Sequence, residues 1–288
     1  MDTKKYCEDE YLDSLIYKIF AEKEKDPKNR QILLQLSDQE KAHYEFWRKF
    51  LPDNYQVKNP SRFKLAWISL MRVIFGLTFT IKFLELHEEK VIKEYEKDLQ
   101  ELEGEDKKKL EVILAEEKEH ERFFMGQLQE NRIKYLGFIV LGLADAIVEI
   151  TGVHAGFLGV TGRTVVAGVA GIIVGVSAAI SMASAAFLQA KQDKERSPLI
   201  SAGLTGVSYI LAVLILAVPY FLTSNMVLAF IVSVWLGILL IFFFSFYGAI
   251  VFERNFLKEF LVSAGLMLGT AFATYLIGEY LGHMFNLR

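Results

Sequence analysis

Residues 135–160 read YLGFIVLGLADAIVEITGVHAGFLGV, with only two charged side chains, Asp145 and Glu149. A helix rises about 1.5 Å per residue, so this stretch is long enough to cross the ~30 Å hydrocarbon core of a bilayer. Four more apolar stretches follow, at residues 164–190, 199–222, 226–250 and 260–285. The expectation is five membrane-spanning helices, the first two joined in a tight hairpin by Thr161-Gly162-Arg163. What precedes them is of opposite character. Residues 1–134 carry 25 Lys/Arg and 28 Asp/Glu, against 7 of each in residues 135–288. That partition explains how a 288-residue chain is 52% hydrophobic and also 23% charged. A polar domain, residues 1–131, is expected to precede a membrane domain, residues 132–288.

Loop charges orient the spans. Lys191, Lys194 and Arg196 lie between spans two and three, and Arg254 and Lys258 between spans four and five. Arg132 and Lys134 precede span one, whereas the alternate loops hold Arg163 alone or, in Thr223-Ser224-Asn225, nothing basic. Basic loops stay in the cytosol. The polar domain is therefore expected there and the C-terminus outside, in a multi-pass cell-membrane protein. Residues 1–10 are charged and lack the apolar run of a cleavable signal, which agrees with that orientation. With no basic stripe, a nucleic-acid partner is not expected. The one cysteine, Cys7, leaves no intramolecular disulfide framework and no Cys-ligated metal cluster within the chain.

Polar residues within the spans carry the functional signal. Gly137, Gly142, Gly152 and Gly156 of span one and Gly168, Gly171 and Gly175 of span two allow close helix approach. Asp145 and Glu149 are four apart and share one helix face. An acid at mid-bilayer depth costs several kcal/mol unless it faces a partner or a water-filled path, and no Lys or Arg lies inside any span. The pair either meets a cation or holds a proton against a neighbouring helix. Met182, after Ser181, offers a soft sulfur suited to a transition metal. His154 and Glu279 lie nearer the outer side and rank below these three.

The run Gly142-Leu143-Ala144-Asp145, the glycine-rich second span ending in Ser181-Met182-Ala183-Ser184, Pro198, Pro219-Tyr220-Phe221 and Thr274-Tyr275-Leu276-Ile277-Gly278 resemble the vacuolar iron transporter family across residues 133–288. That resemblance implies a dimer exporting ferrous iron, and often manganese, in exchange for protons, with Asp145 and Met182 on the ion path. Glu149 would add a second acid. The chain departs from plant and yeast-type members, which insert a Glu-rich metal-collecting domain between spans two and three. Here only about ten residues connect them.

The polar domain repeats itself. Glu10 precedes Tyr17 by seven residues, and Glu40-Lys41-Ala42-His43 follows; Glu88 precedes Tyr95 by seven, and Glu117-Lys118-Glu119-His120 follows. Each copy reads as a helical hairpin with a polar turn, so two copies make a four-helix bundle. Glu-x-x-His places a carboxylate and an imidazole on one helix face. A Glu from each of two helices plus Glu-x-x-His from each of the other two is the di-iron carboxylate constellation. Residues 63–103 read as a single helix of about 60 Å, with an apolar flank suited to a second subunit or a membrane surface.

Over residues 8–128 this half resembles the ferritin-like rubrerythrins, whose third helix carries Glu-x-x-Glu, matched by Glu85-Leu86-His87-Glu88. The resemblance completes an expected metal set of Glu10, Glu40, His43, Glu85, Glu88, Glu117 and His120. Glu40 and Glu117 are the expected bridges, and Tyr17 and Tyr95 the expected hydrogen-bond donors to carboxylates. Rubrerythrins usually append a four-Cys iron site, which this chain lacks. The fused pair of modules is similar to prokaryotic membrane-bound ferritins. The fold expected is all-α: a ferritin-like four-helix bundle followed by a five-span membrane domain. The function expected is export of ferrous iron or manganese by a homodimer. The rival is a membrane-anchored ferroxidase or peroxidase, for which Asp145 and Glu149 would have no use. Storage in a closed shell fits poorly with five spans per chain.

Overall fold

The computed structural model describes residues 2–86, 88–119, 131–193 and 195–287, with the backbone alone for Glu88, Glu89, Glu119, Asn131 and Arg132. Every regular element among them is a helix. The chain divides into two compact units, Met1–Glu130 and Asn131–Arg288.

The first unit opens with α1 (Thr3–Lys23) and α2 (Pro27–Arg48). Asp26 caps α2, its carboxylate accepting from the Asn29 N–H at 2.9 Å, and Pro27 supplies a preset helical φ at the first position. The connection is so short that the two helices must return antiparallel and pack along their length. Then come α3 (Arg62–Phe75), α4 (Leu77–Glu85), α5 (Glu88–Asp98) and α6 (Gly104–Glu119). The single helix expected over residues 63–103 is thus broken. Gly76 adopts φ 96, a left-handed value that side chains resist, and it ends α3 while starting α4.

Two apolar clusters hold this unit. Ile16, Phe20, Leu33, Leu36, Leu77 and Ile81 form one. Cys7, Phe46, Trp47, Tyr95, Leu110 and Ile113 form the other. Glu10 on α1 and Glu40 and His43 on α2 fall between them in sequence, so these polar residues occupy a layer between two apolar plugs. Burial also pushes the Cys7 thiol up to about 11, which keeps it protonated and inert.

The second unit contains α7 (Asn131–Val160), α8 (Thr164–Lys191), α9 (Pro198–Ala217), α10 (Pro219–Leu222), α11 (Met226–Phe252) and α12 (Phe256–Met284). Five helical segments here, with α9 and α10 counted together, are long and apolar enough to cross a membrane. Helix α7 packs against α8, α9, α11 and α12. Its Ala146, Ile147 and Ile150 are buried with Tyr209, Val213 and Met267. Glycine permits the tightest crossings. A Cβ on Gly278 would lie 2.1 Å from the Gly156 carbonyl oxygen, and one on Gly142 would lie 2.4 Å from that of Thr205. Gly137, by contrast, faces open space.

Candidate metal centre

Glu10 arrives from α1, Glu40 and His43 from α2, and Glu117 from α6. All four are buried, and one ligand atom from each lies within 4.8 Å of the others. The three-residue step from Glu40 to His43 puts both on the inner face of α2. The His43 Nδ1 is 2.8 Å from Glu117 Oε1 and 3.6 Å from both Glu10 Oε2 and Glu40 Oε2. Its other nitrogen, Nε2, meets Glu116 Oε2 at 2.9 Å. A carboxylate on the far nitrogen fixes the ring and raises its basicity, as around histidines that bind metal. Burial opposes the imidazolium, but the surrounding carboxylates outweigh it and hold His43 well above its ordinary pKa.

Three buried carboxylates around one imidazole leave excess negative charge. Burial, then repulsion from Glu117 and Glu40, pushes Glu10 well above the usual carboxylate range. A cavity of about 20 Å³ adjoins the cluster, lined also by Asp9, Asp13, Tyr6 and Tyr95. Burial and the neighbouring Glu40 and Asp9 likewise raise Asp13. Oxygen-rich donors with one imidazole fit hard or borderline divalent ions such as ferrous iron.

Residues 4–128 match the rubrerythrin family model. Residues 4–128 therefore carry a rubrerythrin domain, a ferritin-like di-iron module, and the buried carboxylate–histidine cluster could hold a metal ion. Searches of curated proteins and of solved structures find no match.

The tyrosines of the rubrerythrin domain cross between its two halves. Tyr95 from α5 donates to Glu10 Oε1 on α1, and Tyr17 from α1 donates to Glu85 Oε1 at the end of α4, at 2.5 Å. Trp47 Nε1–H in turn donates to the Tyr95 hydroxyl at 2.9 Å. Glu85 thus lies under Tyr17 and outside the four-residue cluster. The His120 position and the Glu88 side chain lie outside the described residues. Sequence reading missed Glu116, Asp9, Asp13 and Trp47. A signal existed for Asp13, three residues after Glu10 on the same helix face; Glu116 and Trp47 have no repeat partner to single them out.

Tyr95→Phe would remove the donor to Glu10 and strand the Trp47 N–H. The expected loss is about 1–3 kcal/mol of stability and roughly 10–100-fold in metal affinity. Thermal melting and calorimetric iron titration would measure both.

In the second unit Asp145, Glu149, Ser177, Ser181 and Met182 line one cavity of about 520 Å³ between α7 and α8. Glu149 accepts a hydrogen bond from the buried Tyr209 hydroxyl of α9, a partner that sequence reading missed. Glu149 also borders a second cavity of about 440 Å³, together with Gly152, Gly156, Thr270 and Thr274. His154 is buried elsewhere, its ring 4.1 Å from that of Tyr220, and Glu279 meets His283 at 3.2 Å.

Proposed function

We propose that this chain exports ferrous iron across the membrane, its rubrerythrin domain capturing the metal in the cytosol and Asp145, Glu149 and Met182 forming the ion's passage. One observation carries the reading. Two acids from one span and a thioether from the next line a single cavity, in helices where an unneutralised carboxylate is costly. An anchor has no need of that arrangement. The resemblance of residues 133–288 to vacuolar iron transporters supports it, as does the distribution of Lys and Arg, which favours a cytosolic bundle by the positive-inside rule. By the same resemblance the unit works as a homodimer, and protons move in exchange.

The chain's own groups divide the work. Glu10 and Asp13, raised by burial and neighbouring carboxylates, must be ionised to ligate an ion, so binding favours proton release. Asp145 and Glu149 provide successive anionic oxygens, and Met182 supplies a sulfur that disfavours magnesium and calcium. An iron pair, when bound in the bundle, would supply redox chemistry toward oxygen or peroxide.

Purified chain in liposomes tests the reading. Ferrous uptake that responds to an imposed pH gradient is the expected result. Iron oxidation without any uptake would instead favour the membrane-anchored ferroxidase. Mass photometry in mild detergent should give about twice the 32.8 kDa chain mass beyond the detergent, and a clean monomer would count against the dimer.

A further inference from the structure

Helix α3 is apolar on two faces, and among the described residues the bundle buries one of them. Ile68 and Met71 are buried. Arg72 is fixed by the Phe20 carbonyl at 3.0 Å and the Glu24 carboxylate at 2.7 Å. On the other side stand Phe63, Trp67 and Leu70, exposed by 80%, 57% and 47%. At 3.6 residues per turn these three fall within an arc of about 60°. Single exposed apolar side chains are ordinary, but a continuous stripe with two aromatics marks a contact surface. Arg62 and Lys64 flank Phe63 in the first turn, Lys58 lies just upstream, and α3 contains no acidic residue.

We propose that this stripe is a membrane-surface contact. Phe63, Trp67 and Leu70 enter the headgroup–acyl boundary of the bilayer, and Arg62 and Lys64 meet the phosphates of anionic lipids. Aromatic and aliphatic residues on one face with basic residues beside them are the pattern of helices that lie in the interfacial plane. Two features of the chain favour lipid as the occupant. Five helices of spanning length on the same polypeptide tether a bilayer to this helix at high effective concentration. An anionic surface also supplies the negative charge that the basic rim calls for, whereas a second copy of α3 offers none. The inference does not depend on the transport reading, since an anchored enzyme would carry the same contact.

Site-directed spin labelling of the full chain tests it. A nitroxide is placed at Phe63→Cys or, as a water-facing control, at Lys41→Cys; the buried Cys7 stays unlabelled. Each protein is reconstituted into vesicles rich in phosphatidylglycerol. At position 63, collisions with oxygen relative to a nickel chelate should exceed those at position 41 several-fold. A ratio equal to the control would place the stripe in water and overturn the proposal. Shielding from both reagents, with dipolar broadening between labels, would assign the surface to a second copy and overturn it equally. Adding Arg62→Glu and Lys64→Glu should move the position-63 label toward water. An unchanged depth would overturn the role given to charge.

Discussion

Glu40→Gln combined with Glu117→Gln is expected to take the bundle from binding an iron pair to binding none, and to raise the melting temperature of the metal-free protein. The two effects have one cause. Without metal, Glu10, Glu40 and Glu117 are buried around the single imidazole of His43, and burial and the neighbouring carboxylates push Glu10 well above the usual carboxylate range. Glutamine keeps the shape and removes the repulsion, so relief on the order of 1–2 kcal/mol is expected, as for other strained functional sites. For a domain of this size each kcal/mol is worth about 4 °C. Iron should reverse the order, because only the wild type gains the binding energy. The pH dependence follows from the same groups. Glu10 and His43 both have raised pKa values in the folded state. The stability they contribute is present at low pH and is lost as pH rises through those raised values. Metal-free wild type should therefore weaken with rising pH more steeply than the variant. Calorimetry with and without iron checks the signs together. A variant that still bound iron, or that melted lower than wild type without it, would make the cluster a structural ion-pair network.

Much of this architecture could be read from residue spacing. The five apolar helices declare themselves by length, since a bilayer admits few other solutions for such composition. Glu10, Glu40, His43 and Glu117 were legible because the repeat places like residues at like intervals, and the structure brings these four together. Other features depend on packing rather than on sequence distance. The break at Gly76 is hidden because an isolated glycine in an apolar run is tolerated in a helix unless its φ turns positive, as here. The repeat assigns a tyrosine to each half but does not say that each serves a carboxylate of the other half. Glu116 looks like one of many solvated acids on α6 until α2 brings the His43 Nε2 to 2.9 Å. The same holds for Tyr209, whose bond to Glu149 joins residues sixty apart in sequence.

Asp145→Asn should abolish ferrous uptake into vesicles while leaving iron binding by the rubrerythrin domain intact. An aspartate on a membrane helix persists only if a cation or proton repeatedly neutralises it. The amide keeps the volume and loses that charge. Glu149 remains in the same cavity, but it is already engaged by the Tyr209 hydroxyl and is not expected to substitute. Met182→Ala should act differently. Loss of a neutral sulfur leaves the anionic route in place, so transport should weaken and its preference for iron over magnesium should fall. The comparison separates a path from an anchor. If Asp145→Asn protein, folded and reconstituted, moves iron at the wild-type rate, the passage assigned to α7 is wrong. If the wild type also moves none while its bundle oxidises iron, the five helices serve to hold an enzyme at the membrane.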